Sequence, residues 1–175
     1  MTTILATLDG SPTSEAIIPV LAKLAGGMGA RIRLLTVLPP PAATPKPSTG
    51  FREIAHETGG SLGVPLIDSN LLKPDEPTSE ESTGQAIARV KAEGEEMLDN
   101  AGRPLRDAGL DVEVEVAIGD DPAKEIIDNA LERHVDMIAM STHGRSGVRR
   151  VIQGSVAAAV VSAGVLPVLL IRPTS

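Results

Sequence analysis

The sequence predicts an α/β protein built around a mostly parallel sheet. Five short runs rich in branched aliphatic residues alternate with segments of helical periodicity, which is the pattern of repeated strand–helix–strand units. A chain of 175 residues has the usual length of one domain. We therefore expect a single domain over residues 1–175, with right-handed crossovers. The runs are Thr3 to Leu8, Arg31 to Leu38, Val112 to Ile118, Val135 to Ser141 and Leu166 to Ile171.

The apolar pattern of the runs predicts how far each strand is covered. The first, fourth and fifth runs are almost continuously apolar, which is typical of strands covered on both faces. The third run alternates valine with glutamate. One of its faces is therefore expected to meet water, and the strand is expected at a sheet edge.

The first gap between runs predicts a helix. Apolar residues follow helical spacing from Ile17 to Leu24. Pro19 is expected to kink this helix or shorten its first turns, because proline cannot donate a backbone hydrogen bond. The Gly26-Gly27 pair, with Gly29, is expected to end it.

The second gap contains an insertion and a second helical stripe. Residues 39–84 hold eight of the chain's fourteen prolines and show no sustained periodicity, so we interpret them as a partly mobile insertion on the second crossover. A short helix is predicted within it at Phe51 to Glu57. An apolar stripe follows from Ile87 to Leu105, with interruptions at Gly94 and Pro104.

The last two gaps give clearer helix signals. Asp121 is the predicted N-cap and Pro122 the first residue of a helix whose apolar face runs from Ala123 to Leu131. Val156 to Ser162 is expected to form a buried helix that ends at Gly164.

Composition excludes several classes of function. The single aromatic residue, Phe51, cannot form the stacked platforms that bind single-stranded nucleic acid. A net charge of −7 opposes binding to a phosphate backbone or an anionic membrane. Without cysteine there is no disulfide, thiolate nucleophile or cysteine-ligated zinc. No apolar stretch approaches the roughly 20 residues of a membrane span, and the N-terminus does not resemble a secretory signal. We expect a soluble cytoplasmic protein.

A glycine-rich loop follows the fourth run and leads into the last helix. Its sequence, MSTHGRSGVRRVIQGSV, has Gly144 and Gly147 in the turn and Gly154-Ser155 at the expected helix start. Backbone amides at a helix N-terminus form an anion site. The Ser155 hydroxyl could donate to a phosphate or cap the helix, and a plain strand-to-helix turn is the alternative for the whole loop.

Three arginines in this loop are candidate phosphate ligands. Arg145, Arg149 and Arg150 crowd one loop of an acidic protein, and charge-assisted hydrogen bonds from them could reach the outer phosphates of a nucleotide. Arg145 is favoured because it adjoins Gly144. The alternative is a solvated turn with surface arginines.

A carboxylate lies at the end of the first strand, in the stretch Leu8-Asp9-Gly10-Ser11. In an open α/β sheet, ligands bind at the carboxyl ends of the strands where the strand order reverses. Asp9 could there accept from a ribose hydroxyl or from the exocyclic amine of adenine. It could instead cap the following helix or shape a turn.

Other catalytic signatures are absent. Neither a GxxxxGK[ST] loop nor a GxGxxG after the first strand occurs. The three histidines lack metal-ligand spacing: His56 lies in the insertion, His134 is expected at an exposed helix terminus, and His143 could act as a base or support the loop. Asp120-Asp121 could pair on a metal, but helix capping by Asp121 is the simpler interpretation, so no protein metal site is predicted.

The ordered segments ILATLDGSPTSEA, GDDPAKEII, VDMIAMSTHGRSG and QGSVAAAVVSAGVLPVLLIRP resemble the universal stress proteins of the adenine-nucleotide-binding type. That family's nucleotide motif is glycine, two residues, glycine, nine residues, then glycine and serine or threonine. Gly144, Gly154 and Ser155 match it. Ser141 stands where the first glycine is expected, which places a Cβ and a hydroxyl beside the expected ribose.

The resemblance implies a Rossmann-like fold of the adenine nucleotide alpha hydrolase type. Five parallel strands in the order 3-2-1-4-5 would carry helices on both faces. It also implies a homodimer joined by antiparallel pairing of the last strands, Leu166 to Ile171. This apolar run would be an exposed edge in a monomer, so burial in a dimer is physically reasonable.

The resemblance further implies an ATP site, with Mg²⁺ on the phosphates. The adenine would lie near Leu8, Asp9 and the backbone of Val37; the ribose near Met140 and Ser141; and the phosphates near Gly144, Arg145, Gly154, Ser155 and Val156.

The hypothesis is a cytoplasmic stress-response protein that binds ATP as a regulatory or sensing ligand rather than as a fast enzyme. No convincing general base or carboxylate pair for phosphoryl transfer is evident. Two alternatives remain open. One is a slow ATPase or phosphotransferase that uses His143 or Asp9. The other is a dimeric interaction module that binds no nucleotide, with Ser141 as a sign of a degraded site.

Overall fold

The computed structural model describes residues 1–41, 83–141 and 154–172. All five strands are parallel and lie in the order β3-β2-β1-β4-β5, which confirms the predicted sheet. The elements in chain order are β1 (Thr3–Thr7), α1 (Pro12–Glu15), α2 (Ile18–Met28), β2 (Arg31–Leu38), α3 (Thr83–Asp107), β3 (Val112–Ile118), α4 (Pro122–Glu132), β4 (Met137–Ser141), α5 (Ser155–Ala163) and β5 (Val168–Ile171).

Two apolar layers sandwich the sheet. Because successive strand residues point to opposite faces, Ile4 and Ala6 of β1 pack with buried residues of α2 and α3, whereas Leu5 packs with those of α4 and α5. The helices therefore cover both faces, as predicted. The central strand β1 and its neighbour β4 each have three successive residues buried between the layers.

The α1–α2 region differs from the prediction at its end. Pro19 occupies the second position of α2 and begins the helix rather than kinking it, with the four-residue α1 standing separately before it. Gly26 and Gly27 lie inside α2 and do not end it. The helix ends only at Gly29, where φ is +60° and the N–H donates to the Ala25 carbonyl; a glycine in the left-handed region is a common end of a helix.

Helix α3 also differs, since it runs without a break through Gly94 and Pro104. Gly94 belongs to the packing face: a Cβ there would lie 3.0 Å from the Leu38 Cδ1 and Val116 Cγ2 atoms. The glycine thus lets the helix axis approach the sheet closely. Pro104 is exposed, so water can reach the Asn100 carbonyl that loses its usual N–H partner there.

The two sheet edges have opposite character. β3 is an edge strand, as predicted. Its glutamates and the preceding Asp111 form a ladder of ion pairs: Arg31–Asp111 at 2.6 Å, Arg33–Glu113 at 3.0 Å and Arg133–Glu115 at 2.8 Å. The hydrogen bond to Asp111 raises the pKa of Arg31. Such charges protect an edge against pairing with another chain.

β5, the other edge, is less covered than its apolar run predicts. All four of its residues are partly exposed, because an edge strand has a neighbour on one side only. β5 is also shorter than its run: it begins at Val168, after Pro167. β1 ends one residue early, at Thr7, and β4 begins two residues late, at Met137.

The predicted insertion of residues 39–84, with its helix at Phe51 to Glu57, lies almost wholly outside the described residues. Within the three described ranges, no helix is both long and apolar enough to cross a membrane.

Candidate functional site

A cavity of about 320 Å³ opens at the carboxyl ends of β1, β2 and β4. β1 and β4 are where the strand order reverses, which is the usual ligand crevice of an open α/β sheet. The N-terminal ends of α4 and α5 close its other side. Its walls are formed by Thr7, Leu8, Asp9, Ser14, Leu35, Val37, Pro122, Ile126, Met140, Ser141, Gly154, Ser155, Val156 and Ala157.

The cavity exists because β1 ends before β2. The Leu8 N–H donates to the Leu35 carbonyl at 2.9 Å, and this is the last bond recorded between these two strands in the described ranges. β2 continues to Leu38, paired there with β3 only. Residues of β2 alternate in the direction of their peptide groups, so the N–H and C=O of Val37 face the side that β1 has left. One donor and one acceptor therefore border the cavity.

Asp9 begins a tight turn at the end of β1. Its Oδ1 atom accepts from the Ser11 hydroxyl at 2.6 Å and from the Ser11 N–H at 3.0 Å. Gly10 follows with φ +73°, a conformation that favours glycine. The turn holds the carboxylate at the cavity wall, so Asp9 both shapes the turn and borders the cavity.

One wall of the cavity is apolar. Leu35, Ile126, Met140 and Ala157 are all buried, and Val37 packs against the same layer. Apolar walls with a few convergent polar groups are typical of small-molecule sites. This wall would suit a flat ring whose polar edge turns towards Val37.

The two helix N-termini at the cavity are electrostatically different. At α4, the Asp121 carboxylate accepts from the Ala123 and Lys124 N–H groups, both at 3.1 Å. At α5, the N-cap is Gly154, and among the described residues no side chain caps the helix. Uncapped N–H groups carry partial positive charge. An anion is therefore expected at α5 and not at α4.

Eight of the ten predicted site residues border this cavity, although contact with a ligand remains a prediction. They are Leu8, Asp9, Val37, Met140, Ser141, Gly154, Ser155 and Val156. Gly144 and Arg145 lie outside the described residues. The same holds for Gly147, Arg149, Arg150 and His143.

Sequence reasoning missed several lining residues. Pro122 was assigned to the first position of a helix and Ile126 to its apolar face, and their sequence pattern is the same whether they meet a cavity or the core. The sequence gives only a weak indication of Ser14, namely its position three residues after Ser11 at the start of a helix. Thr7, Leu35 and Ala157 complete the missed set.

Other predicted groups take structural roles. Asp121 caps α4, as predicted. Among the described residues, no three His, Cys, Asp or Glu side chains cluster as a metal site. His134 is exposed just after α4, with φ +51°. The Ser155 hydroxyl does not cap α5, because the N-cap is Gly154.

Fold and cavity together define a doubly wound α/β protein with an open crevice at the reversal point of its sheet. The chain belongs to the universal stress protein family, whose family model matches residues 52–172. A curated relative, universal stress protein YxiE of Bacillus subtilis, is 28% identical over 168 residues, covering 96% of this chain and 97% of YxiE.

Solved structures show the same fold. MJ0577 from Methanocaldococcus jannaschii aligns with a TM-score of 0.67 at 21% identity, covering 99% of this chain and 97% of that chain. A universal stress protein in complex with cAMP aligns with a TM-score of 0.59 at 18% identity, covering 99% and 98%. An Arabidopsis thaliana member with AMP bound aligns with a TM-score of 0.56 at 15% identity, covering 100% and 94%.

Proposed function

We propose that this protein binds adenine nucleotides, ATP in particular, in the cavity between β1, β2, β4 and the start of α5. The observation that carries the proposal is that two features border one cavity: the α5 N-terminus, which no described side chain caps, and the Val37 peptide edge. A nucleotide carries both an anionic phosphate, which suits the helix N-terminus, and a base whose hydrogen-bonding edge suits the Val37 peptide. The cAMP and AMP complexes of structurally similar proteins support the same ligand class.

In this proposal, each part of the ligand meets one part of the wall. The adenine ring packs on the apolar wall, its exocyclic amine donates to the Val37 carbonyl, and the neighbouring ring nitrogen accepts from the Val37 N–H. Guanine reverses both polarities, so it leaves two polar groups of the wall unpaired. The site is therefore expected to select adenine over guanine.

The ribose lies between Asp9 and the end of β4 at Met140 and Ser141. The phosphates bind the N–H groups at the start of α5, at Gly154, Ser155 and Val156, with Gly144 and Arg145 as further ligands. Because no cluster of metal-ligating side chains occurs in the described ranges, a Mg²⁺ ion would be held mainly by phosphate oxygens and water.

We propose a regulatory or sensing role in a cytoplasmic stress response rather than rapid catalysis. Asp9 is engaged by Ser11, and no histidine lies in the described part of the cavity wall. A base poised to activate water is thus not provided by the described residues. Steady-state turnover of purified protein is the measurement: rates near those of ordinary kinases, at about 1–100 per second, would contradict this role.

Titration calorimetry tests the ligand. ATP is expected to bind in the micromolar range, and GTP at least about tenfold more weakly, since each mismatch of a hydrogen-bonding group costs more than 1 kcal/mol. AMP and cAMP serve as further ligands that separate base recognition from phosphate recognition. No heat with any adenine nucleotide at millimolar concentration would overturn the proposal and favour an interaction module that binds no nucleotide.

We also propose that two copies pair through the edge strand β5, within Leu166 to Ile171. The stretch from residue 155 to residue 171 contains no charged residue, and β5 is the half-exposed edge of the sheet. An apolar, uncharged edge is unfavourable in water and favours pairing with another chain. An isologous contact between identical edges closes after two copies.

A lysine on β5 should separate the dimer. We expect Leu170→Lys to shift the protein from dimer to monomer in analytical ultracentrifugation at about 10 μM, because a charge on the pairing strand must be desolvated. Val20→Lys, on the exposed surface of α2, is the matched control and should remain dimeric. A wild-type protein that sediments as a monomer at this concentration would contradict the pairing.

A further inference from the structure

Ser14 closes a ring of hydrogen bonds that holds Asp9. The Ser14 Oγ accepts from the Asp9 N–H at 3.2 Å and donates to the Ser11 carbonyl at 2.9 Å. The Ser14 N–H in turn donates to the Ser11 Oγ at 3.1 Å. That hydroxyl then donates to the Asp9 Oδ1 at 2.6 Å. Ser14 therefore holds the Asp9 peptide directly and is linked to the Asp9 carboxylate through Ser11.

The burial of Ser14 is not explained by a role in starting helix α1 alone. Ser14 is only 4% exposed and borders the cavity, whereas a residue that only begins a surface helix is usually solvated. Ser11 already caps α1 through its own hydroxyl. The Ser14 hydroxyl is therefore not needed for the cap, and its two bonds lead to the Asp9 peptide and to the Ser11 carbonyl.

The ring fixes the carboxylate before any ligand arrives. A side chain held in one rotamer by two donors loses little conformational freedom on binding, which raises affinity. Gly10, between Asp9 and Ser11, has φ +73° and contributes no side chain that would restrain the turn. Hydrogen bonds from Ser11 and to Ser14 restrain the turn.

We propose that Ser14 is a positioning residue for nucleotide binding, acting through Asp9; this inference rests on the proposed adenine-nucleotide site. Removal of its hydroxyl frees the Asp9 peptide from α1. The Ser11 carbonyl loses its bond to the Ser14 hydroxyl as well, so the turn that presents the two Ser11 donors to the Asp9 carboxylate loosens. The carboxylate then samples several orientations, and part of the binding free energy is lost to ordering it.

A double-mutant cycle measured by ATP calorimetry tests the proposal. Ser14→Ala should weaken ATP binding by up to about tenfold, the equivalent of one neutral hydrogen bond. In an Asp9→Ala background the same substitution should change the Kd by less than about twofold, because coupled residues are not additive. Ser14→Thr restores the hydroxyl and should recover most of the affinity. Ser162→Ala, exposed near the end of α5, is the matched control and should bind as wild type.

Amide hydrogen exchange of the ligand-free protein gives an independent readout. The Asp9 N–H should exchange faster in Ser14→Ala, because its acceptor is gone. If Ser14→Ala folds poorly, Ser11→Ala at the half-exposed neighbour opens the same ring and should weaken ATP binding in the same non-additive way with Asp9→Ala.

The outcomes separate the two hypotheses. Wild-type protein that binds no adenine nucleotide overturns the proposed function, and the positioning role falls with it. Normal affinity in Ser14→Ala, or an equal loss with and without Asp9, overturns the positioning role alone.

Discussion

Replacing Ser155 with glutamate should weaken ATP binding by about a hundredfold or more, because it adds a carboxylate where the phosphates are expected to lie. Ser155 is the first residue of α5 and is exposed. An acidic side chain in the first turn stabilises a helix, so the fold should be retained or slightly stabilised. Loss of binding without loss of stability is the signature of a charge placed in the site.

Ser162→Glu is the matched control for this substitution. Ser162 is exposed in the last turn of the same helix, so the protein gains the same net charge away from the cavity. ATP affinity by calorimetry should stay close to that of wild type, and thermal melts should show slight destabilisation from the unfavourable helix end. Unchanged affinity in Ser155→Glu would mean that phosphates do not bind at α5.

Replacing Gly94 with valine should lower the free energy of unfolding by about 2–3 kcal/mol, through overpacking between α3 and the sheet. A Cβ alone would lie 3.0 Å from the Leu38 Cδ1 and Val116 Cγ2 atoms, and two further methyl groups have no room. Urea denaturation followed by circular dichroism measures the change.

Gly26→Val is the control for Gly94→Val. Gly26 also lies inside a helix, but a Cβ there meets nothing within 4 Å. Because valine is a somewhat better helix former than glycine, this variant should be as stable as wild type or slightly more stable. Equal urea midpoints for the two variants would contradict close packing of α3 at Gly94.

The two glycine positions show what sequence could and could not predict. Gly26 and Gly94 both looked like helix interruptions, because glycine has low helix propensity wherever it stands. Only the packing of α3 on β2 and β3 shows that Gly94 is a contact, and only the position of Gly29 shows where α2 stops. The local sequence pattern therefore predicts the existence of a helix more reliably than the residue at which the helix ends.

The sheet itself was predictable for specific reasons. The alternation of valine and glutamate identified β3 as an edge, and Asp121-Pro122 marked the start of α4, since both signals are local. The strand order came from resemblance to a family, because no local pattern encodes which strands lie side by side. The buried serine at position 14 was not found, since its role depends on hydrogen bonds to Ser11 and Asp9 that only the folded turn creates.

The parts of the candidate site that consist of polar side chains or a glycine motif could be predicted from the sequence. The parts formed by peptide groups or apolar residues could be predicted less well. Asp9 and the Gly154-Ser155 pair have recognisable chemistry in the sequence. The contribution of Val37 is made by its peptide group, which leaves no signature in the residue type. Pro122 and Ile126 were interpreted as the first helical residue and a core residue, because the same apolar residues can line a cavity or fill an interior.

The contrast between the charged ladder along β3 and the bare strand β5 limits how copies of the chain can assemble. A sheet with an uncharged, unpaired edge strand on each side could pair with another copy at both edges, and the copies could then form a filament. At the β3 edge, arginines and carboxylates oppose pairing with another chain, so β5 is the edge that the proposed pairing uses. If two copies pair through β5 as proposed, neither has a second uncharged edge strand for a third copy, and the assembly stops at two.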